Sequence, residues 1–189
     1  MKLYLVRHGE AAWPSGWSPE DVGLAAGGRA QSEAAGRELA RRVGAGPVTL
    51  LSSPARRAIE TAAVIGEALR QQVETETALV GLTDHELRHR FYESGIDGAL
   101  ASEIDAIGGA AWPEVVRRAE GAEADASIIA VSHDVTIGGI VCRVLSMPIT
   151  DLRRFRVDQG SISVIDFRPQ RTILASLNEV EHLKAPTPA

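Results

Sequence analysis

The sequence predicts an α/β protein, a three-layer α/β/α sandwich with a largely parallel central sheet. Two observations carry that expectation. Short apolar runs rich in β-branched residues alternate with longer segments whose apolar residues recur at helical spacing. Three of these runs also stop at chemically capable pairs, Arg7-His8, Ser52-Ser53 and Ser132-His133. In open α/β sheets ligands bind beyond the carboxyl ends of the strands, so the three ends should share one site.

Taken in order, residues 2–6 (KLYLV) form a buried strand that delivers Arg7 and His8, and Gly9 permits a sharp exit. Residues 12–26 hold Pro14, Gly16, Pro19 and Gly23 and read as a loop. A helix is expected over 28–43, through Ala30, Ala34, Ala35 and Leu39, with Gly44 and Gly46 stopping it. VTLLSS (48–53) is a second buried strand. Pro54, whose missing N–H needs no partner in a first turn, then opens a helix over 54–69, with Ser53 as its cap. The stretch 74–82 is a strand candidate. Residues 84–121 should be helical with breaks near 95–98 and 108–109, where glycines cluster. SIIAVS (127–132) is the clearest strand and leads into a helix ending near Leu145. SISVIDF (161–167) and TILASLN (172–178) are two further strands joined by a turn around Pro169. One domain over 1–180 accounts for these elements, with a flexible tail at 181–189.

The chain has 189 residues, 44% of them apolar, enough for a substantial core in one domain. A net charge of −5 argues against a nucleic-acid partner, although it leaves a locally basic cleft open. The single cysteine, Cys142, lies in the apolar run GGIVCRVL and reads as core packing, which suits a reducing compartment. The apolar run of MKLYLVRHGE is too short for a signal peptide, and no stretch is long enough to span a bilayer. The expected location is the cytoplasm, with no membrane partner.

Two arginines and two histidines fall at matching topological positions. Arg7 and His8 end the first strand, Arg57 lies in the first turn of the helix after the second, and His133 follows the third strand and opens a helix. Guanidinium forks match phosphate oxygens and do not lose their charge. Helix N-termini favour anions, and a neutral imidazole can attack phosphorus to form a phosphohistidine. Such a set suits cleavage of a phosphate monoester, which further needs a carboxylic acid for the leaving alcohol.

These residues also carry a family resemblance. LVRHGE (5–10) with Trp13, the spacing of Leu24, Gly28 and Gln31, SSPARRAIETA (52–62) and VSHD (131–134) resemble, in order, the motifs of the histidine phosphatase superfamily, also called the phosphoglycerate mutase-like family. The resemblance runs from residue 3 to about 145. It implies that His8 is the phosphorylated nucleophile and that Arg7, Arg57 and His133 hold the phosphoryl oxygens. It implies no metal or organic cofactor, a small phosphorylated metabolite or a phosphoprotein as substrate, and is compatible with a homodimer. Phosphatase is preferred over mutase, because cofactor-dependent mutases of the family carry extra segments for which this chain has little room.

The chain departs from the family pattern in two places. Ala11 and Pro14 stand where the family has a hydroxyl residue and an asparagine, which removes a polar contact to phosphate. The position of the family's usual glutamate falls on Gly81 in ALVGLTDHE, leaving Asp134, Glu86 and Asp84 as candidates for the proton donor. Asp134 is favoured, since VSHD resembles the His-Asp pair of the acid phosphatase and phytase branch, whose aspartate donates the proton. An acid-poor site also suits a better leaving group, as in the protein-phosphohistidine phosphatases, or a catalytically silent module that binds a phosphorylated ligand. One competing motif exists. His85-Glu86-Leu87-Arg88-His89 fits the H-E-x-x-H pattern of zinc hydrolases, with Glu103 or Glu114 as a third ligand, but it would leave the other motifs unexplained. The specificity region is expected at 84–112, where His85, Arg88, His89, Arg90, Phe91, Tyr92 and Trp112 would form a lid, with Trp13 and Trp17 flanking the mouth.

Overall fold

A computed structural model describes residues 1–13, 22–82, 85–93 and 96–184, the side chain of His85 excepted. Pro14, Trp17 and Asp84 therefore lie outside the described residues. Six strands, β1 (Lys2–Arg7), β2 (Val48–Ser52), β3 (Val73–Thr75), β4 (Ser127–Ser132), β5 (Ile162–Arg168) and β6 (Arg171–Glu179), form one sheet in the order β3-β2-β4-β1-β5-β6. The first four in that order are mutually parallel, while β5 and β6 form an antiparallel extension beside β1. The sheet is thus mixed, four parallel strands beside an antiparallel pair.

Helices cover both faces: α1 (Ala26–Arg42) and α2 (Arg56–Leu69) on one, α4 (Gly98–Glu120) and α5 (Asp134–Val144) on the other, with α3 (His85–Glu93) beside α4. Strand alternation dictates this sandwich. In β1, Leu3 and Leu5 pack with Ala111, Val115, Ile137 and Ile140 of α4 and α5, while Tyr4 and Val6 pack with Ala35, Leu39, Ala62 and Ile65 of α1 and α2. β2 and β4 divide in the same way, Leu51, Ile128 and Ala130 toward one core and Leu50, Ile129 and Val131 toward the other. Cys142 is buried in a third cluster with Phe91, Leu100, Ile104 and Leu152.

Several boundaries differ from expectation. The first helix begins at Ala26, before Gly28. The second begins at Arg56, with Ala55 as a cap that lacks a side-chain bond, so Pro54 and Ser53 do not open it. The hydroxyl of Ser53 meets the imidazole of His133 and accepts the Ala55 N–H, one residue short of the helix. The expected strand at 74–82 shrinks to Val73–Thr75, followed by a 3-10 turn at Thr77–Leu79. Hydrogen bonds from Ser132 Oγ to the Leu79 carbonyl and from Thr136 Oγ1 to the Val80 carbonyl, both 2.7 Å, pull that segment out of the sheet and over the end of β4. No break occurs at Gly108–Gly109. Helix α4 runs through them, and Gly108 is where the backbone of α4 meets α5: a Cβ there would lie 2.8 Å from Gly139 Cα. At the C-terminus regular structure extends past 180, as a 3-10 turn at Glu181–Leu183 whose His182 Nε2 contacts the Gly160 carbonyl at 2.9 Å. Residues 185–189 lie outside the described residues. None of the described helices is long and apolar enough to cross a membrane.

Candidate active site

Parallel pairing places the three chemically capable strand ends side by side. Arg7 is in register with Ser132, and Ser52 with Val131. Pairing continues one residue past β1: the His8 N–H donates to the Ser132 carbonyl at 3.0 Å, and the Gly160 N–H to the Arg7 carbonyl at 3.0 Å. The nucleophile candidate is therefore held from both sides. The turn after it is also fixed. The Gly9 N–H donates to Thr61 Oγ1, the Glu10 N–H to Gln31 Oε1, and Ala11 bridges Leu24. Gly28 lies flush against Glu10, since a Cβ at Gly28 would overlap the Glu10 carbonyl oxygen. Leu24, Gly28 and Gln31 thus clamp the loop that orients His8.

The Arg57 guanidinium bridges both imidazoles. Its Nε donates to His8 Nε2 at 3.1 Å and its Nη2 to His133 Nδ1 at 3.1 Å. A guanidinium can only donate, so both ring nitrogens accept. The other nitrogens follow: His8 Nδ1–H donates to the Gly9 carbonyl at 2.8 Å, and His133 Nε2–H to Ser53 Oγ at 2.8 Å. His8 is 4% and His133 3% exposed, and the ring centroids are 5.1 Å apart. Burial, with the nearby arginines, holds His8 well below its ordinary 6.5, and burial with His8 and Arg57 does the same for His133. Both rings are neutral at physiological pH. Burial and the Arg88 cation press Arg57 down to about 10, which leaves it cationic.

Arg7 donates to the Val157 carbonyl at 2.6 Å and pairs with Asp134 Oδ2 at 3.1 Å, while its buried Nε has no hydrogen-bond partner among the described residues. Asp134 Oδ2 also accepts from the Tyr92 hydroxyl at 2.6 Å, and Oδ1 accepts the Val135 N–H. Arg88 stacks 3.7 Å above the Trp13 ring and forms no ion pair among the described residues. These groups line a cavity of about 270 Å³ with three cations, Arg7, Arg57 and Arg88, against one carboxylate, Asp134. Such a balance suits a polyanion.

The structure brings together five of the six candidate residues: Arg7, His8, Arg57, His133 and Asp134. It leaves Glu86 out, exposed on α3 and absent from the cavity wall. His89 is exposed as well, Glu114 is bonded to Arg117 and Arg118, and among the described residues no three His, Cys, Asp or Glu side chains gather to hold a metal. The expected lid is only partly present. Arg88 and Tyr92, one helical turn apart, face the cavity, but Phe91 is buried, Arg90 pairs with Asp97, and Trp112 stacks on Phe167 of β5. Tyr92 stands 42 residues from Asp134 along the chain, and only packing joins them.

The sequence model of the histidine phosphatase superfamily (branch 1) matches residues 3–180. "Phosphoserine phosphatase 1" of Hydrogenobacter thermophilus is 26% identical, over 97% of this chain and 94% of that protein. "Probable phosphoglycerate mutase GpmB" of Salmonella paratyphi A is 27% identical, over 98% and 96%. Among solved structures, phosphoserine phosphatase of Entamoeba histolytica in complex with 3-phosphoglyceric acid superposes with a TM-score of 0.73 at 22% identity, covering 97% of this chain and 99% of that one. A mycobacterial glucosyl-3-phosphoglycerate phosphatase in complex with VO3 gives the same TM-score and identity, covering 94% and 98%. These two share the fold.

Proposed function

Since this chain belongs to the histidine phosphatase superfamily, we propose that it hydrolyses phosphomonoesters through a phosphohistidine on His8. The observation that carries this is the hydrogen bond from His8 Nδ1–H to the Gly9 carbonyl, which leaves the Nε2 lone pair facing the arginine-lined cavity. A bound phosphoryl group takes over the donors of Arg57, freeing Nε2, and engages the guanidinium groups of Arg7 and Arg88. The charge of the anion opposes the forces that keep the rings neutral, so His133 takes a proton and becomes a further donor.

The ester binds as its monoanion and hands its proton to the Asp134 carboxylate; His8 Nε2 then attacks phosphorus, the P–O ester bond breaks, and the leaving oxygen takes that proton from Asp134. Water attacks the phosphohistidine and gives its proton to the Asp134 carboxylate. The N–P bond breaks with its electron pair returning to Nε2, and phosphate departs with the proton from Asp134, which restores the carboxylate. Asp134 is assigned as donor because it is the one carboxylate among the described residues lining the cavity. The names of the relatives suggest phosphoserine, 3-phosphoglycerate and glucosyl-3-phosphoglycerate as first substrates to try.

The test is turnover of these esters and of p-nitrophenyl phosphate, with rapid quench and detection of acid-labile phosphate on His8. Wild type should show both. His8→Ala should show neither, while folding normally by circular dichroism. Turnover that survives in His8→Ala would remove His8 as nucleophile. Interconversion of phosphoglycerates without phosphate release would make the protein a mutase.

A further inference from the structure

A second cavity, of about 350 Å³, adjoins the first and is lined in part by the same three residues, Arg7, Asp134 and Tyr92. These three form a continuous chain, Arg7 to Asp134 at 3.1 Å and Tyr92 to Asp134 at 2.6 Å, both through Oδ2. The chain is the partition between the two spaces. The floor of the second cavity is apolar: Phe91, Leu152 and Val157 are nearly fully buried, and Phe155 joins them. Two arginines stand at its rim. Arg156 is paired with Asp158 at 2.7 Å. Arg153 lies 4.8 Å over the Phe91 ring and has no ion pair among the described residues.

Resting on the reading of the first cavity as the phosphoryl site, the geometry points to the second as the pocket for the leaving alcohol. We infer that the preferred substrates are phosphomonoesters whose alcohol has an apolar, ring-sized body and ends in an anionic group that meets Arg153. The argument is one of placement. A monoester held with phosphorus in the first cavity must put its bridging oxygen at the boundary of that cavity, where Asp134 stands to protonate it. Its carbon skeleton then continues across the partition. The size of the space falls within the range of small-ligand pockets. Its apolar floor recovers the cost of desolvating a hydrocarbon, and an unpaired guanidinium on an aromatic face is a prepared carboxylate receptor.

Binding and turnover separate this inference from the reading beneath it. Benzylphosphonate, 4-carboxybenzylphosphonate and its biphenyl homologue, none of them hydrolysable, are titrated by calorimetry into wild type and Arg153→Gln. One of the carboxylated ligands should bind wild type at least tenfold more tightly than benzylphosphonate. Arg153→Gln should lose most of that ratio while binding benzylphosphonate within twofold of wild type. Equal ratios in the two proteins would overturn the subsite, because they would trace the preference to the arginines of the first cavity. Phe91→Ala, which removes the ring beneath Arg153, should weaken the aryl ligands but not inorganic phosphate. Weakening of all ligands alike would also overturn it. Failure to hydrolyse any phosphomonoester would remove the proposed reaction and leave the binding result to be read on its own.

Discussion

At Gly81 a side chain would run into His133: a Cβ there would stand 2.6 Å from His133 Cγ. The family resemblance puts a glutamate at this position, and the contact with His133 leaves no room here for one. Under the proposed mechanism the proton donor is Asp134, tied to Arg7 and Tyr92. The consequence depends on the leaving group. An alkoxide needs its proton in the transition state and a nitrophenolate hardly does. Asp134→Asn should therefore lower kcat on alkyl phosphates such as phosphoserine by about 10²–10⁴-fold, and on p-nitrophenyl phosphate by far less. Steady-state rates on both substrates check this, and equal losses on the two would remove Asp134 as proton donor. The residues legible in the sequence were those in contiguous motifs, Arg7-His8 and His133-Asp134, or in a fixed register after a strand, Arg57. Arg88 and Tyr92 were legible only as members of a variable segment, because their contacts with Trp13 and Asp134 close over dozens of residues.

Among the elements, α5 has the most to hold in place, because His133 caps it and Asp134 is its first residue. Its seat is the crossing with α4 at Gly108 and Gly139, where a Cβ at either glycine would lie 2.8 Å from the other backbone. Gly108→Ala gains up to about 1 kcal/mol of helix propensity, but it must force two backbones apart in a packed core, which costs about 1–3 kcal/mol. The variant should unfold at lower urea concentration with an unchanged m-value, and kcat should fall with it as Asp134 is displaced. Unchanged stability would show that the crossing relaxes freely. The sequence could not distinguish this contact from a helix break, since a glycine pair serves either purpose. The same ambiguity shortened β3: residues 76–82 are apolar enough for a strand, but the hydroxyls of Ser132 and Thr136 capture their carbonyls.

For the whole molecule, the neutral buried histidines make stability depend on pH. Unfolded, His8 and His133 bind protons as pH falls below 6.5; folded, they refuse them, being held well below that value. The unfolded state therefore gains protons first and stability drops with acidity, by up to about 1.4 kcal/mol per pH unit for each histidine. His182, also depressed by burial, acts in the same direction. Urea unfolding at pH 7.5 and 5.5 should show the loss, and His8→Asn with His133→Asn should flatten it. An equally steep loss in that double variant would place its origin elsewhere. The sandwich itself was legible because strand alternation and helix periodicity are local. The antiparallel pair beside β1 was legible as two strands joined by a turn, but its direction against β1 was not, because that depends on the long connection from α5 to β5. The central place of β1 bears on how the chain is made. Its two neighbours, β4 and β5, begin at residues 127 and 162. At a synthesis rate of about 5–20 residues per second, the ribosome exposes KLYLV for roughly 6–25 s before β4 exists to cover it. Throughout that wait the nascent protein offers an unpartnered, greasy segment to chaperones or to its neighbours on the same message.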